Sequence, residues 1–196
     1  MKKSFVSSLI LTLCLLPVFA SAQSDNMEMP APAGEQEAAF AGLEGMARFL
    51  QERLQEDPDN LDGWLMLAQS YIYMDKPAKA AEAFGQARQR FGDSPELLTS
   101  EAEYLMLAAG GKVDESTEAL VTRALEMRPG FARALWLAGI AHYQRNDYEQ
   151  AGRYWQQLLP QIPAGSESAS TVQEALDDLA DRGVSLDQQE NGPGDP

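Results

Sequence analysis

Apolar residues recur at helical spacing along nearly the whole stretch from residue 38 to residue 182. The alternating β-branched runs that would predict strands do not occur in it. Clusters of Pro, Gly, Asn and Asp interrupt the helical pattern after about three or four turns each time. Short helices joined by tight turns predict a series of antiparallel helix pairs. The clusters lie at 57–60, 76–77, 92–95, 109–112, 128–130 and 145–147.

A repeat is present in this helical pattern. The stretch DPDNLDGWLMLAQSYIYMDKPAKAAEAF at 57–84 aligns without a gap with RPGFARALWLAGIAHYQRNDYEQAGRYW at 128–155, a shift of 71 residues. Because 71 is twice 34 plus three, a middle copy should start 34 residues after the first and contain about three extra residues. The aligned pairs include Trp64 with Leu135, Ala68 with Gly139, Tyr71 with His142 and Phe84 with Trp155, and Leu98 of the middle copy falls 34 residues after Trp64.

A 34-residue helix–turn–helix unit with Trp, Ala, Tyr, Ala and Phe in this order is the tetratricopeptide (TPR) pattern. The small residue at Ala68 or Gly139 would let the two helices of a pair approach closely. The sequence therefore predicts an all-α TPR helix–turn–helix solenoid of about three repeats, within a domain at 38–184. The repeats are expected near 61–94, 95–131 and 132–165, after a helix at 38–56 and before a capping helix near 168–182, in which Ser170 and Gln173 have capping-box spacing.

The two ends of the chain differ from the helical part. Residues 1–22 combine two early lysines, an apolar run and a final Ala-Ser-Ala, which predicts a secretory signal peptide cleaved after Ala22. A membrane anchor at residues 4–19 is the alternative, although the apolar run is short for a bilayer-spanning helix. Residues 23–37 are predicted to be a flexible linker and 185–196 a disordered tail. The expected compartment is the periplasm.

Charge and cysteine content narrow the possible functions. The full chain has 15 basic and 30 acidic residues, and loss of the two signal-segment lysines leaves 13 against 30, a net charge of −17. Such a chain repels nucleic acid and anionic membrane surfaces but attracts a basic protein partner. The single cysteine, Cys14, lies in the signal segment, so the mature chain has no thiolate and no C-x-x-C-H haem motif. We expect no cofactor, no metal and no directly bound haem.

No residue pattern points to catalysis. His142, the only histidine, occupies the position of Tyr71 in the repeat, so we interpret it as a core residue rather than a base or a haem ligand. The many carboxylates follow exposed faces and helix starts, where negative charge interacts favourably with the helix dipole. The Gly110-Gly111 pair lacks the strand–loop–helix context of a phosphate-binding loop. The sequence therefore predicts a binding protein and not an enzyme.

The remaining candidate for function is the concave side of the repeat array. Certain positions of each unit's first helix should face this side, and several are apolar although solvent-facing positions are usually polar. We predict a groove for an amphipathic helix, with an acidic rim at Asp62, Glu96 and Glu103. The alternative is that the chain's own terminal helices cover these positions. The predicted groove residues are Leu65, Gln69, Ile72, Tyr73, Glu103, Met106, Arg133, Trp136, Ile140 and Tyr143.

Three segments carry a more specific resemblance: N-L-D-G-W-L-M-L-A at 60–68, A-L-W-L-A-G at 134–139 and Y-W-Q-Q-L-L at 154–159. In this order, with the Gly-Gly turn between the first two, they resemble the periplasmic TPR domain of the cytochrome c maturation proteins CcmI (also called CycH) and of their NrfG-like relatives. The resemblance covers roughly residues 49–181.

This resemblance implies an accessory chaperone of c-type cytochrome biogenesis. Such proteins bind the C-terminal helix of unfolded apocytochrome c and hand it to the haem-lyase complex, whose subunits are further expected partners. The lack of a mature cysteine agrees with this role, because a holder of reduced apocytochrome needs no thiol of its own. Many relatives have membrane helices ahead of the domain, where this sequence has a signal-like segment. The alternative function is a general cell-envelope TPR scaffold for another assembly or secretion complex.

Overall fold

The structure is a computed structural model that describes residues 33–186, with side chains described from Phe40 onward. The predicted signal peptide at 1–22, the alternative membrane anchor at 4–19, and all of the predicted tail at 185–196 except its first two residues lie outside the described residues. The described residues form eight α-helices and one short 3-10 helix, with no β-strand among them. In chain order these are α1 (Ala33–Glu56), α2 (Leu61–Tyr73), α3 (Pro77–Phe91), α4 (Pro95–Ala108), α5 (Glu115–Met127), α6 (Ala132–Gln144), α7 (Tyr148–Leu158), the 3-10 helix (Leu159–Gln161) and α8 (Glu167–Asp181).

The predicted turns contain the residues that start the next helices. Asn60 Oδ1 accepts a hydrogen bond of 2.8 Å from the amide of Gly63 and so caps α2. Ser94 and Asp114 cap α4 and α5 in the same way, accepting from amides three residues further on at 3.1 and 2.8 Å. Pro77 and Pro95 are the first residues of α3 and α4, where no intrahelical amide bond is lost.

Two turns that lie 71 residues apart in the sequence have the same backbone geometry. Asp75 and Asn146 lie in the turns after α2 and α6, and both have positive φ, 52° and 61°. Asp and Asn tolerate this left-handed conformation better than most side chains do. In both turns the amide of the next residue, Lys76 or Asp147, donates to a carbonyl five residues earlier at 2.9 Å. The first and third repeats therefore share a turn geometry as well as a motif.

The start of α1 differs from the prediction. This helix begins at Ala33, inside the predicted linker at 23–37, whereas the sequence predicted a start at residue 38. The stretch A-G-E-Q-E-A-A that follows Pro32 consists, apart from its glycine, of residues that form helices readily. Local propensity therefore extends the helix into the segment that its prolines had marked as a linker.

The N-cap of α8 also differs from the predicted one. It is Ser166, whose hydroxyl oxygen accepts a hydrogen bond of 3.1 Å from the amide of Ala169. The predicted capping box with Ser170 as the cap is therefore wrong. Ser170 lies within the first turn of the helix, and its hydroxyl donates to the carbonyl of Ser166.

The described residues divide into two compact units between Pro129 and Gly130, at a turn that the sequence placed between the second and third repeats. In the first unit, neighbouring helices pack in sequence from α1 to α5. Its buried core includes Leu54, Leu67 and Phe84. In the second unit, α6 packs against α7, and α8 packs against α7. The buried Trp155 is central to it, 5.7 Å from the ring of Trp136.

Candidate peptide-binding face

One side of α2 is exposed and largely apolar. Leu65, Met66 and Tyr73 are 36%, 53% and 66% exposed, and Gln69 between them is exposed as well. Successive residues of an α-helix turn by about 100°, so these four side chains lie within about one third of the circumference. Asp62, also exposed, adds a carboxylate at the start of the same side. We call Leu65, Met66, Gln69 and Tyr73 the α2 face.

Helix α1 of the first unit also exposes apolar side chains. Met46 and Phe49 are 47% and 54% exposed. They lie on the flank of α1 opposite to Gln51 and Gln55, which line a cavity together with residues of α2 and α3. The residues of α2 that line this cavity are opposite to the α2 face. Met46, Phe49 and the α2 face are thus exposed apolar side chains of the first unit, and exposed apolar surface of this kind marks binding sites.

Sequence reasoning missed three of these residues. Met46 and Phe49 precede the first repeat, so the repeat positions gave no reason to select them. Met66 is not at one of the positions assigned to the concave side, although it lies exactly seven residues before Tyr73. That seven-residue spacing, which returns to the same side of a helix, is the signal that could have identified it.

Four other predicted groove residues are buried. Met106, Trp136 and Ile140 are 0%, 3% and 2% exposed. Glu103 is 5% exposed and is therefore not a solvent-facing rim residue. The expectation of an open apolar floor is not met at these positions, because the exposure of a helix position depends on its packing neighbours and the repeat motif does not encode all of them. Peptide binding by these residues stays a prediction.

Trp136 also has an unusual hydrogen-bonding state. Within the described residues its buried indole N–H has no acceptor. The neighbouring Trp155 donates its own indole N–H to the Trp136 carbonyl over 3.5 Å. An unpaired buried donor costs about 1–3 kcal/mol. Trp136 is thus packed as a core side chain while its polar atom remains unsatisfied.

The remaining groove candidates are half-buried. Ile72 packs against the core of the first unit, and Arg133 is likewise half-buried in the second. Tyr143 is held by α8: its hydroxyl donates to Asp178 at 2.7 Å and accepts from Arg182 at 2.8 Å. At Tyr143 the chain's own C-terminal helix therefore supplies the contact, as the alternative interpretation expected.

The surroundings of Tyr143 change its ionisation. Burial, and then the hydrogen bond to Asp178, raises the pKa of Tyr143 to about 12. The Arg182 guanidinium carbon lies 5.3 Å from the centre of the Tyr143 ring and 5.2 Å from that of Tyr148, a cation–π arrangement with both rings. These contacts fix the end of α8 against the α6–α7 pair.

His142 is packed within the α6–α7 pair. Its Nδ1 lies 2.8 Å from Asp147 Oδ2, and its ring centre is 5.4 Å from that of Tyr154. The hydrogen bond with His142 is the main reason why the pKa of Asp147 is lowered. Within the described part of the chain, no three His, Asp or Glu side chains are grouped as metal ligands, and no helix is both long and apolar enough to cross a bilayer.

Helix pairs with this motif define a TPR-type helical repeat module. The model of the family described as the cytochrome c-type biogenesis protein H TPR domain matches residues 32–169. This match covers more than half of the chain, and the chain belongs to that family. The predicted all-α TPR class and the predicted resemblance are both confirmed.

Several curated proteins are similar to the chain. Cytochrome c-type biogenesis protein CycH of Pseudomonas aeruginosa is 29% identical over 192 residues, which are 97% of this chain and 46% of the relative. The formate-dependent nitrite reductase complex bifunctional subunit NrfFG of Haemophilus influenzae is 30% identical over 130 residues, 66% of this chain and 34% of the relative. The subunit NrfG of Escherichia coli O157:H7 is 26% identical over 116 residues, 59% of each protein. The chain thus spans between 34% and 59% of the length of these relatives.

Solved structures add a likeness in fold. Two crystal structures of MamA superpose with TM-scores of 0.53 and 0.55 at 15% and 17% identity. The first likeness covers 79% of this chain and 96% of MamA, and the second covers 76% and 82%. At this level of identity the likeness concerns the fold alone.

Proposed function

We propose that the chain is a periplasmic TPR adaptor of c-type cytochrome biogenesis. It holds the C-terminal helix of apocytochrome c and presents it to the haem-lyase complex. Membership of the cytochrome c-type biogenesis family supports the biological process. The exposed α2 face is the single observation that supports binding of a helix. The role is one of binding rather than catalysis, since the matching family model is that of a TPR domain.

The chemistry of the α2 face suits an amphipathic helix. Leu65, Met66 and Tyr73 offer apolar contact area, and the unbranched Met side chain adapts to different partners. Gln69 lies among them and can form a hydrogen bond with a polar residue at the edge of the bound helix. The excess of 30 acidic over 15 basic residues favours a client helix with a basic second face.

Peptide titration tests this proposal. A labelled peptide from the C-terminal helix of an apocytochrome c is titrated with the wild-type protein and with Tyr73→Ala. Truncating a large aromatic anchor costs about 2 kcal/mol, so we expect the affinity to fall roughly thirtyfold. Added salt should slow association of the basic peptide, because screening weakens the attraction between opposite charges.

Phe91→Ala is the matched control. Phe91 is 41% exposed at the end of α3 and is not part of the α2 face, so its truncation should leave affinity unchanged. A scrambled peptide of the same composition controls for charge alone. If the authentic and scrambled peptides bind equally, or Tyr73→Ala binds as well as wild type, the proposed helix-binding face is wrong. Capture of subunits from a different envelope complex, without haem-lyase subunits, would favour the general scaffold function.

A further inference from the structure

The part of the chain with described side chains contains five methionines and no cysteine. Met74 and Met106 are buried, with 6% and 0% of their surface exposed. Met46, Met66 and Met127 are 47%, 53% and 43% exposed. Where no thiol is present, the thioether sulfur is the side-chain atom that peroxides oxidise most readily, and exposure decides which sulfur reacts. The three exposed methionines are therefore the accessible sites of sulfur oxidation in this part of the chain.

The two buried methionines are protected by the fold. The sulfur of Met74 accepts a hydrogen bond from the ammonium nitrogen of Lys76 at 3.8 Å, and Met106 is enclosed within the packed side of α4. Oxidation of either would place a polar oxygen in the core, which is costly when that oxygen has no hydrogen-bond donor. Met74 and Met106 should therefore stay reduced for as long as the chain is folded.

Met66 differs from the other exposed methionines in its position. It belongs to the α2 face, whereas Met46 lies in α1 and Met127 is the last residue of α5. Leu65, Gln69 and Tyr73 complete the α2 face and contain no sulfur. Met66 is thus the one residue of the α2 face at which a peroxide forms a sulfoxide.

Oxidation would change the chemistry of this surface. A lone pair of the Met66 sulfur attacks one oxygen of hydrogen peroxide, and the O–O bond breaks. That oxygen stays on the sulfur as a sulfoxide, and the other leaves as water after proton transfer, so sulfur loses two electrons and the peroxide gains them. An apolar side chain packed on the α2 face would then have to desolvate a polar oxygen without replacing its hydrogen bonds.

The fold itself should tolerate this change. The residues of α2 that pack into the core of the first unit, including Leu67, Ala68 and Tyr71, are buried and contain no sulfur. Met66 is more than half exposed, so its sulfoxide oxygen can keep its hydrogen bonds to water. Oxidation at this residue therefore alters the binding surface and leaves the helix packing intact.

We propose that Met66 is a modification site, at which two-electron oxidation by a peroxide weakens binding of the client helix. The reduced thioether binds the apolar side of that helix, and the sulfoxide releases it. This inference rests on the proposed function of the α2 face.

Peroxide treatment followed by mass spectrometry and peptide titration tests the site. The folded protein is treated with graded amounts of hydrogen peroxide, which is removed before the labelled apocytochrome c peptide is added. Peptide mapping should find sulfoxide at Met66 and Met127 well before it appears at Met74 and Met106. The affinity should fall about tenfold, because the modified side chain loses part of the free energy that a buried methionine contributes. Circular dichroism should show unchanged helical content.

Two leucine variants locate the effect. Met66→Leu keeps an apolar side chain of similar volume but has no sulfur, so it should bind the peptide before treatment and keep its affinity afterwards. Met127→Leu is the matched control, because Met127 is similarly exposed but lies outside the α2 face. This variant should lose affinity on treatment as wild type does.

Three results would overturn the proposal. They are a Met66 that stays reduced while Met127 is oxidised, oxidised wild type that binds as tightly as untreated protein, and a Met66→Leu variant that loses affinity as wild type does. Failure of untreated wild type to bind the peptide would overturn the proposed function and this inference together. Binding that peroxide leaves unchanged would overturn this inference alone.

Discussion

The indole ring of Trp155 lies against Gly139 so closely that a Cβ atom at Gly139 would overlap its Nε1 atom. The corresponding residues of the first repeat are Phe84 and Ala68. The larger ring of the third repeat is thus accompanied by a smaller residue on the facing helix. The pair explains why one repeat has Ala and the other Gly at the same position of the motif.

Gly139→Ala should destabilise the protein. A methyl group inserted into this tight contact should cost about 1–3 kcal/mol of the free energy of unfolding, because the Trp155 ring must move. Adding Trp155→Phe to Gly139→Ala should recover part of the loss, since it recreates the Ala–Phe combination of the first repeat. Urea denaturation followed by circular dichroism measures both changes.

Gly45→Ala is the control for the effect of alanine itself. Gly45 lies in α1 with no other atom within 4 Å of an added Cβ, so this substitution should stabilise the helix by up to about 1 kcal/mol. Equal stabilisation by Gly139→Ala would show that Trp155 does not pack against Gly139 as described.

The ion pair between Arg88 and Glu101 should contribute more to stability than the one between Arg128 and Glu96. Arg88 Nε lies 2.6 Å from Glu101 Oε2 with side-chain exposures of only 24% and 14%, whereas the Arg128–Glu96 side chains are 52% and 57% exposed. We expect Glu101→Gln to lower the free energy of unfolding by about 1–3 kcal/mol and Glu96→Gln by less than about 1 kcal/mol. Equal effects in denaturant titrations would contradict this ranking.

Ionisation of Tyr143 should make the free energy of unfolding decrease as the pH rises in the alkaline range. Its pKa is about 12 in the folded chain, above the value of about 10 for an unperturbed tyrosine. Its contribution to folding is therefore fully present below pH about 10 and is lost as the pH rises toward 12. Unfolding free energies measured across this window should fall more steeply for wild type than for Tyr143→Phe, which has no phenol to ionise. Parallel curves would show that Tyr143 is not shifted.

Substitutions of Trp136 and Tyr73 should have different effects, because the first residue is buried and the second is exposed. Trp136→Ala should cost about 3–5 kcal/mol of stability, because Trp136 is 3% exposed. Tyr73→Ala, at a residue 66% exposed, should change stability by no more than about 0.5 kcal/mol. Thermal melting and peptide titration of both variants distinguish the roles. Unchanged melting with lost peptide affinity in Trp136→Ala would instead support an exposed anchor at this position.

The helix pairs and their order were predictable from the sequence. Asn60, Ser94 and Asp114 mark helix starts because a cap bonds to an amide only three residues away. The positive φ of Asp75 and Asn146 likewise follows from local turn chemistry, and it recurs at the same repeat position. The N-cap of α8 was misplaced by four residues because Ser166 and Ser170 are both plausible caps.

The sequence by itself determined the repeats, the turns and the small residue facing a large ring, because these depend on neighbours within one helix pair. Only the tertiary structure decided which apolar positions remain accessible. Leu65 and Trp136 occupy the same position in their repeats, yet one is 36% and the other 3% exposed. Likewise, Tyr143 is held by Arg182, which is 39 residues away. Exposure and such distant contacts depend on which segments pack together, and a motif read along the chain contains no direct measure of that packing.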